Sequence, residues 1–210
     1  MNAPGETSAP HLLATPGVQR VPSAKLELFI ARDFVPHALC AALASLVDAE
    51  RRPSTIADTN GDASFRTSET CDLDSAHPAV AALAAQLQAL CGIDPAYAEP
   101  MQGQRYAVGQ EFKAHTDYFE PDGGDYARYC SIAGQRTWTF MVYLNAVEAG
   151  GATRFKLIDK IVQPEAGKLL GWNNRLPDGR LNPATLHHGM KVRQGTKYVI
   201  TQWYRERPWG

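Results

Sequence analysis

The sequence predicts a mainly β protein of the α+β class, a double-stranded β-helix (jelly roll) with N-terminal helices packed on the outside. Two segments with helical periodicity precede Gly92, and short strand-like runs separated by turn residues follow it. Two helices followed by many short strands are typical of helices that pack outside a β-sandwich or barrel. The two-sheet jelly roll is the best single prediction within that class.

Residues 1–24 are rich in proline, alanine, glycine, serine and threonine, and the first periodic segment begins only after them. Such a composition is typical of segments that bury too little apolar surface to fold. We therefore predict a flexible N-terminal arm over residues 1–24 and one folded domain over residues 25–210. A chain of this length can bury a sizeable core in one domain.

Apolar residues recur at helical spacing in two segments of the chain. The first predicts a helix from Asp33 to Arg51, with Pro36 near its first turn, where a missing N–H does no harm. The second predicts a helix from Pro78 to Leu90. Gly92 follows that helix as its C-terminal stop.

The segment between the helices, residues 52–76, is polar and is predicted to be irregular, with a turn at Asn60-Gly61. Runs rich in β-branched and aromatic residues mark the strands. One run precedes the helices and the others follow them: Lys25–Ile30, Met101–Val108, Thr137–Asn145, Thr153–Leu157, Lys168–Trp172, Ala184–His187 and Lys197–Tyr204.

Composition and charge exclude several classes of partner. The 210 residues carry a formal net charge of -1, so there is no bulk reason to expect a nucleic-acid or anionic-membrane partner. No apolar run approaches the length of a membrane span, and the N-terminus lacks the pattern of a secretion signal. The four cysteines are scattered without a CxxC spacing, which predicts reduced thiols and a cytoplasmic protein.

The sharpest local signal is His115-Thr116-Asp117. Residues i and i+2 of an extended segment point to the same face, so this imidazole and this carboxylate can bind one metal ion. A third ligand must come from elsewhere, and His187 and His188 are both candidates. Two histidines and one carboxylate that leave further positions open are typical of non-haem iron(II) oxygenases. The alternative for an isolated HxD is a surface histidine beside an aspartate.

Five segments carry a resemblance to a known family. They read RPSTIADTNGDASFRTSE (52–69), RYAVGQEFKAHTDYF (105–119), GQRTWTFMVYLN (134–145), GGATRF (150–155) and ATLHHGMKVRQGTKY (184–198). In this order and spacing they resemble the prolyl 4-hydroxylase-like branch of the 2-oxoglutarate/iron(II) oxygenases. The resemblance covers nearly all of the chain after the N-terminal segment, and several ordered motifs together are more specific than one.

The resemblance implies that the metal is iron(II) and that its ligands are His115, Asp117 and His187. The family's distal histidine precedes a glycine by two residues and a basic residue by ten, and His187 meets both conditions. Adjacent strand residues face opposite ways, so His188 is expected to face outward or to line the rim.

The same resemblance implies that Lys197 binds the C5 carboxylate of 2-oxoglutarate, because a buried carboxylate needs a cation. It assigns Tyr143 a hydrogen bond to that carboxylate, with a core tyrosine as the alternative. Tyr106 is expected to line the pocket near the cosubstrate. Trp172 and Arg66 are expected near the substrate, with a core tryptophan and a solvated arginine as their alternatives.

The implied function is hydroxylation of a C–H bond of a peptidyl-proline or related substrate, coupled to decarboxylation of 2-oxoglutarate to succinate. The implied cofactors are Fe(II), 2-oxoglutarate and O2, with ascorbate as a reductant. One alternative is a hydroxylase of a free amino acid or another small molecule, and a second is a metal-binding jelly-roll module without enzyme activity. Met190-Lys191 and Lys156 replace a Cys-Pro pair and a proline that are common in the family, which leaves the substrate open.

Overall fold

The computed structural model describes residues 8–54 and 65–209. Within them, two β-sheets lie against a shared apolar cluster, and helices cover the other side of the larger sheet. The predicted mainly β architecture with helices on the outside is confirmed. The described ranges contain fourteen strands: β1 (Val18–Arg20), β2 (Leu28–Ala31), β3 (Arg52–Pro53), β4 (Glu69–Asp72), β5 (Gln102–Tyr106), β6 (Phe112–His115), β7 (Arg136–Tyr143), β8 (Ala149–Gly150), β9 (Thr153–Phe155), β10 (Lys160–Val162), β11 (Leu169–Asn173), β12 (His187–Gly189), β13 (Val192–Gln194) and β14 (Lys197–Arg205).

All strand pairs in the described residues are antiparallel. The larger sheet has eight strands in the order β1-β2-β11-β7-β14-β5-β4-β3, and the smaller has four in the order β10-β9-β12-β6. A two-stranded ribbon, β13-β8, completes the set. The long strands β7 and β14 pair with each other at the centre of the larger sheet, where Val199 lies opposite Tyr143 and Trp203 opposite Thr139.

Strand β7 shows how the sheet separates two apolar clusters. Alternate side chains of a strand point to opposite faces. Trp138, Phe140 and Val142 belong to the cluster shared with the helices. Met141 and Tyr143 belong to the cluster shared with strands β9 and β10 of the smaller sheet. The functional residues discussed below therefore lie on the face that points away from the helices.

Four helices are described: α1 (Ser8–Ala14), α2 (His37–Glu50), α3 (Pro78–Cys91) and α4 (Tyr126–Cys130). The side chain of His77 accepts a hydrogen bond from the Ala79 N–H at the start of α3, and Gly92, with φ +68°, adopts the left-handed conformation that ends it. The second predicted helix is thus confirmed within one residue. None of the helices in the described ranges is long and apolar enough to cross a membrane.

Within the predicted N-terminal arm, residues 8–14 form a helix and residues 18–20 form a strand. Helix α1 buries Leu12 completely in the helix-side core, and β1 pairs with β2 so that Val18 lies opposite Ala31. The segment is too short to show a periodic pattern, but one leucine and one paired strand suffice to dock it on the core. Residues 1–7 of the predicted arm lie outside the described residues.

Two smaller expectations also differ from the structure. Helix α2 begins at His37 and not at Asp33, because Asp33 has φ +51° and Pro36 takes an extended conformation just before the helix. The strand expected over Ala184–His187 begins only at His187. The side chain of Asn182 caps a short 3-10 turn over Pro183–Thr185 in front of it.

The segment 52–76 is less irregular than its polar composition suggests. It contributes β3 and β4, and β4 pairs with β5 so that Glu69 lies opposite Arg105. The carboxylate of Glu69 and the guanidinium of Arg105 form an ion pair of 2.7 Å there, so the polar pattern reflects a solvated sheet edge. The turn expected at Asn60-Gly61 lies outside the described residues.

Candidate metal centre and its cavities

Pairing between β6 and β12 brings the three expected metal ligands together. His187 lies directly opposite His115 in the ladder, and Asp117 follows two residues after the end of β6. One possible ligand atom from each side chain lies within 4.8 Å of the other two. Among the described residues, no other group of three or more histidine, cysteine or acidic side chains has a geometry that could hold a metal ion.

Main-chain carbonyls set the orientation of both imidazoles. The Nδ1 atom of His115 lies 2.7 Å from the carbonyl oxygen of Lys113, and Nδ1 of His187 lies 2.9 Å from that of Thr185. A carbonyl only accepts hydrogen bonds, so each Nδ1 carries a proton, and Nε2 is the ring nitrogen that each histidine has left for a metal. Burial, and then the neighbouring His187, hold the pKa of His115 well below its usual value, which favours the neutral form that binds metal.

A hydrogen-bond relay holds the carboxylate of Asp117. The hydroxyl of Thr139 donates to Oδ2 of Asp117 at 2.8 Å, and the amide of Asn174 donates to the Thr139 hydroxyl at 2.9 Å. Both relay residues are fully buried. Oδ2 is thereby occupied, while Oδ1 lies 3.8 Å from Nε2 of His115. Buried partners of this kind orient metal ligands.

These features fit a divalent metal such as iron(II). Two imidazoles, each with Nδ1 engaged by a main-chain carbonyl, and one carboxylate with Oδ2 engaged by Thr139 bring their remaining ligand atoms together. This donor set, with its remaining positions open, is the set that non-haem iron(II) oxygenases use.

A small inner cavity of about 40 Å³ lies beside the three ligands. Strand β14 contributes Lys197, Val199, Thr201 and Trp203 to its wall, as expected for residues spaced by two. Other lining residues are Arg66, Gln104, Tyr106, Phe112, Met141, Thr153, Trp172 and Gly189. The cavity thus combines apolar walls with a few polar groups, which is typical of a small-molecule site.

Lys197 is the cation of the inner cavity. Its side chain is 2% exposed, and its Nζ lies 4.9 Å from the ring centre of Tyr106 and 5.4 Å from that of Tyr143. No carboxylate pairs with it among the described residues. Burial therefore lowers the pKa of Lys197 from 10.5 to about 7. A ligand carboxylate in the cavity would supply the missing counter-charge.

The two tyrosines occupy different positions relative to this cavity. Tyr106 is buried and lines it. Tyr143 lies behind Thr153, and its hydroxyl donates to Oγ1 of Thr153 at 2.6 Å. Burial raises the pKa of Tyr143, so its hydroxyl stays protonated and can donate a hydrogen bond. The structure therefore brings Tyr143 close to Lys197, and Thr153, which accepts the hydrogen bond of Tyr143, lines the cavity in its place.

The remaining expected residues are placed as follows. Trp172 is buried, lines the cavity and packs edge-on against His187, with ring centres 5.0 Å apart. It is therefore a core residue and a cavity residue at the same time. His188 faces the other way, where its Nε2 lies 3.0 Å from a carboxylate oxygen of Glu111. Arg66 lines both the inner cavity and the groove described next.

A wide groove of about 480 Å³ opens next to the same three ligands. Its floor holds an ion cluster in which Glu99 accepts hydrogen bonds from Arg136 at 2.6 and 2.8 Å and from Arg205 at 3.0 Å. The guanidinium of Arg136 lies 3.9 Å from the ring centre of Trp203. One side of the groove is formed by residues of the 120–135 segment, which contains α4.

Sequence reasoning missed several residues of the site. Every second residue of a strand points to the same face, so strand alternation along β14 from Lys197 would have found Thr201 and Trp203. Gln104, which accepts a hydrogen bond from the Thr201 hydroxyl at 3.2 Å, could have been found only from the pairing of β5 with β14. Asn174 carries no local signal, since its role depends on contact with Thr139.

Comparison with known proteins gives a consistent result. A family model described as the 2OG-Fe(II) oxygenase superfamily matches residues 101–205. The chain is 31% identical over 204 residues to prolyl 4-hydroxylase subunit alpha-3 of Mus musculus, covering 95% of this chain and 37% of the relative. It is 33% identical over 130 residues to subunit alpha-1 of Gallus gallus, covering 62% of this chain and 25% of the relative. The chain therefore spans well under half the length of these curated relatives.

Solved structures show the same fold. The viral collagen prolyl hydroxylase of Paramecium Bursaria Chlorella virus-1, in its 2OG complex, superposes with a TM-score of 0.64 and 25% identity, covering 85% of this chain and 95% of that one. A prolyl hydroxylase of Trichoplax adhaerens, in complex with a hypoxia inducible factor peptide, gives a TM-score of 0.63 at 16% identity, covering 95% and 88%. This likeness confirms the predicted fold class.

Proposed function

The chain belongs to the 2-oxoglutarate/iron(II) oxygenase superfamily, and on that basis we propose that it is a prolyl 4-hydroxylase-like dioxygenase acting on a peptidyl-proline or a related substrate. The observation that carries the proposal is one cavity bounded by His115, Asp117 and His187 on one side and on another by Lys197, a cation with no carboxylate partner among the described residues. A metal-binding module without enzyme activity has no use for a buried cation in the same cavity.

In this proposal, Nε2 of His115, Oδ1 of Asp117 and Nε2 of His187 hold the iron. Lys197 binds the C5 carboxylate of 2-oxoglutarate as a charged donor. Tyr106 borders that carboxylate, and Tyr143 acts on it through the hydroxyl of Thr153. When bound, iron activates O2 for the coupled oxidation of 2-oxoglutarate and of a substrate C–H bond.

The protein's own part in the reaction is positioning and the exclusion of water. Main-chain carbonyls and the Asn174–Thr139 relay hold the ligands in place before the metal binds. The indole of Trp172 covers His187 from the interior, so the metal centre faces the groove on its open side. The groove then determines which C–H bond of the substrate lies nearest to the metal.

The substrate is proposed from the relatives and from the groove. The relatives are named prolyl 4-hydroxylase subunits, and one structural neighbour is in complex with a peptide fragment. The groove of about 480 Å³ is large enough for a short peptide segment. Ascorbate is proposed as the reductant that keeps the iron in the Fe(II) state.

We also propose that the protein acts in the cytoplasm. All four of its cysteines are free and buried: Cys40, Cys71, Cys91 and Cys130. Unpaired cysteines are typical of proteins from a reducing compartment.

The proposal is tested by incubating the protein with Fe(II), 2-oxoglutarate, ascorbate and proline-containing peptides. Succinate formation and a gain of one oxygen on the peptide are expected, and both should be absent from Asp117→Ala. A gain of one oxygen on a free amino acid but on none of the peptides would instead identify a small-molecule hydroxylase. Iron binding without succinate formation on any substrate would contradict the enzyme function itself.

A further inference from the structure

Arg66 is anchored to the strand that carries the first metal ligand. It forms a β-bridge with Phe112 of β6, and the N–H of Lys113 donates to the carbonyl of Phe65 at 2.9 Å. Its guanidinium lies 4.8 Å from the ring centre of Phe112, and that ring stacks on His115 with centres 3.5 Å apart. The position of the guanidinium is therefore fixed relative to the metal centre, one aromatic ring away from it.

Among the described residues, the hydrogen-bond partners of this guanidinium are all neutral. Its Nε donates to the hydroxyl of Ser68 at 3.2 Å, and one terminal nitrogen, Nη2, donates to the hydroxyl of Thr70 and the amide oxygen of Gln102, both at 3.0 Å. For the other terminal nitrogen, Nη1, the described residues provide no hydrogen-bond acceptor. No carboxylate forms an ion pair with Arg66 in residues 8–54 and 65–209. Its side chain is half-buried, and burial lowers the pKa of Arg66, although an arginine stays charged in a protein.

The four cations that line the two cavities fall into two pairs. Arg136 and Arg205 share the carboxylate of Glu99. Lys197 and Arg66 have no carboxylate partner among the described residues. A desolvated cation without a counter-ion lowers stability, so such a group is a candidate for binding an anionic ligand.

We propose that Arg66 is a specificity residue that binds a carboxylate of the substrate next to the hydroxylated position. This inference rests on the proposed function. There, Lys197 takes the C5 carboxylate of 2-oxoglutarate and the metal takes its C1 carboxylate, so the cosubstrate leaves no anion for Arg66. The guanidinium lines both the inner cavity and the groove, which places it between the metal and the space for the substrate. A planar guanidinium whose Nη1 has no acceptor among the described residues can bind a carboxylate.

The substrate carboxylate has two chemical sources, and matched peptides distinguish them. The first pair ends in proline, once as the free acid and once as the C-terminal amide. The second pair has an internal proline followed by glutamate in one peptide and by glutamine in the other. Binding is measured anaerobically as a change in the visible band of the Fe(II)–2-oxoglutarate protein, so it does not depend on turnover. Succinate formation and peptide oxygenation are measured separately.

We expect the acidic member of one pair to bind about tenfold or more tightly than its neutral partner, a difference of about 1.4 kcal/mol. Arg66→Gln should remove this difference by weakening the acidic peptide alone, and Arg66→Lys should retain part of it. Arg128→Gln is the matched control, because Arg128 also lies over an aromatic ring, that of Tyr129, but is exposed and lines neither cavity. It should leave the preference unchanged.

Two results would overturn the inference. One is that neither acidic peptide binds better than its neutral partner. The other is that Arg66→Gln weakens 2-oxoglutarate binding and leaves the peptide preference intact, which would assign Arg66 to the cosubstrate. Failure of the proposed function has a different signature, since acidic peptides would then bind preferentially without succinate formation or oxygen gain.

Discussion

The two faces of the eight-stranded sheet use neighbouring residues of the same strand for opposite purposes. On the helix side, Trp138 and Phe140 of β7 stack with ring centres 5.8 Å apart, and both are almost completely buried among the apolar side chains of α2 and α3. On the other side, Thr139 binds a metal-ligand candidate and Tyr143 approaches a buried lysine. One face thus stabilises the fold, whereas the other carries polar groups that need external partners.

This difference has an energetic meaning. The helix-side core removes apolar surface from water and contains few polar groups. Substitutions of its residues should therefore lower the free energy of unfolding. The site face buries Lys197 with no carboxylate partner in the part of the chain that the structure describes, which costs free energy in the empty protein. Such local costs are expected at functional sites. Substitutions on the two faces should therefore have separable effects.

The largest effect is expected from the two adjacent histidines of β12. His187→Ala should weaken metal binding by more than about 100-fold, because loss of a ligand exceeds the loss caused by a supporting partner. Succinate formation should disappear with it. His188→Ala is the neighbouring control, since His188 pairs with Glu111 outside the cavities. Titration with Fe(II) or Co(II) checks both variants. The opposite result would mean that His188 is the ligand.

On the helix side, we expect a substitution to lower the stability of the fold and to leave metal binding unchanged. Leu83 of α3 is fully buried in the helix-side core. Leu83→Ala should lower the free energy of unfolding by about 2–5 kcal/mol, since it removes buried apolar contacts and leaves a cavity. Urea unfolding measures the loss. Metal affinity of the folded protein should remain within about twofold. A parallel fall in metal affinity would show that the two faces are coupled.

Lys197 tests the cosubstrate rather than the metal. Lys197→Ala should weaken 2-oxoglutarate binding by about 30-fold or more, because it leaves a buried carboxylate without its counter-charge. Iron affinity should hardly change. Lys197→Arg should retain part of the affinity, since a guanidinium can bind the same carboxylate. The measurement is a titration of 2-oxoglutarate against the visible band of the anaerobic Fe(II) protein. An alanine variant of unchanged affinity would remove Lys197 from the site.

The relay behind Asp117 should have a smaller effect. Thr139→Val keeps the shape of the side chain and removes the hydroxyl that donates to Asp117. Metal affinity should fall by about 10- to 100-fold, as is usual for partners that orient a ligand. The control is Thr137→Val on the same strand, where the hydroxyl donates to the carbonyl of Tyr204 instead. Equal metal affinity in both variants would show that Asp117 needs no relay.

Local patterns predicted those parts of the molecule whose physical cause is local. Helix α3 was predicted within one residue because Pro78 starts it and Gly92 ends it. The face shared by Thr139, Met141 and Tyr143 follows from strand alternation alone. The docking of α1 and the pairing of β4 with β5 were not predictable, because both depend on surfaces supplied by distant parts of the chain.

The candidate site divides in the same way. His115 and Asp117 share a motif, so their proximity was predictable, and the resemblance pointed to His187 and Lys197. Asn174 and Gln104 act through hydrogen bonds to residues 35 and 97 positions away in the sequence. No local pattern encodes those contacts, and they appear only once the strands are paired.

The smallest expected effect concerns pH and the charge of Lys197. In the empty protein its pKa lies at about 7, because burial disfavours the charged form. A bound carboxylate favours the charged form and raises that pKa. Above about pH 7, binding of 2-oxoglutarate must therefore take up a proton, and the affinity should fall by up to tenfold per pH unit. Between about pH 7 and about pH 8.5 the Kd should rise by about 15-fold.

The stability of the empty protein should change in the opposite direction. The folded pKa of Lys197 lies below its value of 10.5 in the unfolded chain, so the unfolded state binds more protons between the two values. The destabilisation caused by the buried charge is thus fully present below about pH 7 and is relieved as the pH rises above it. The two measurements are 2-oxoglutarate affinity and the free energy of unfolding, each as a function of pH. Lys197→Arg is the control for both, because a guanidinium stays charged throughout this range. If the arginine variant shows the same pH dependence of 2-oxoglutarate binding as the unmodified protein, the dependence comes from another group.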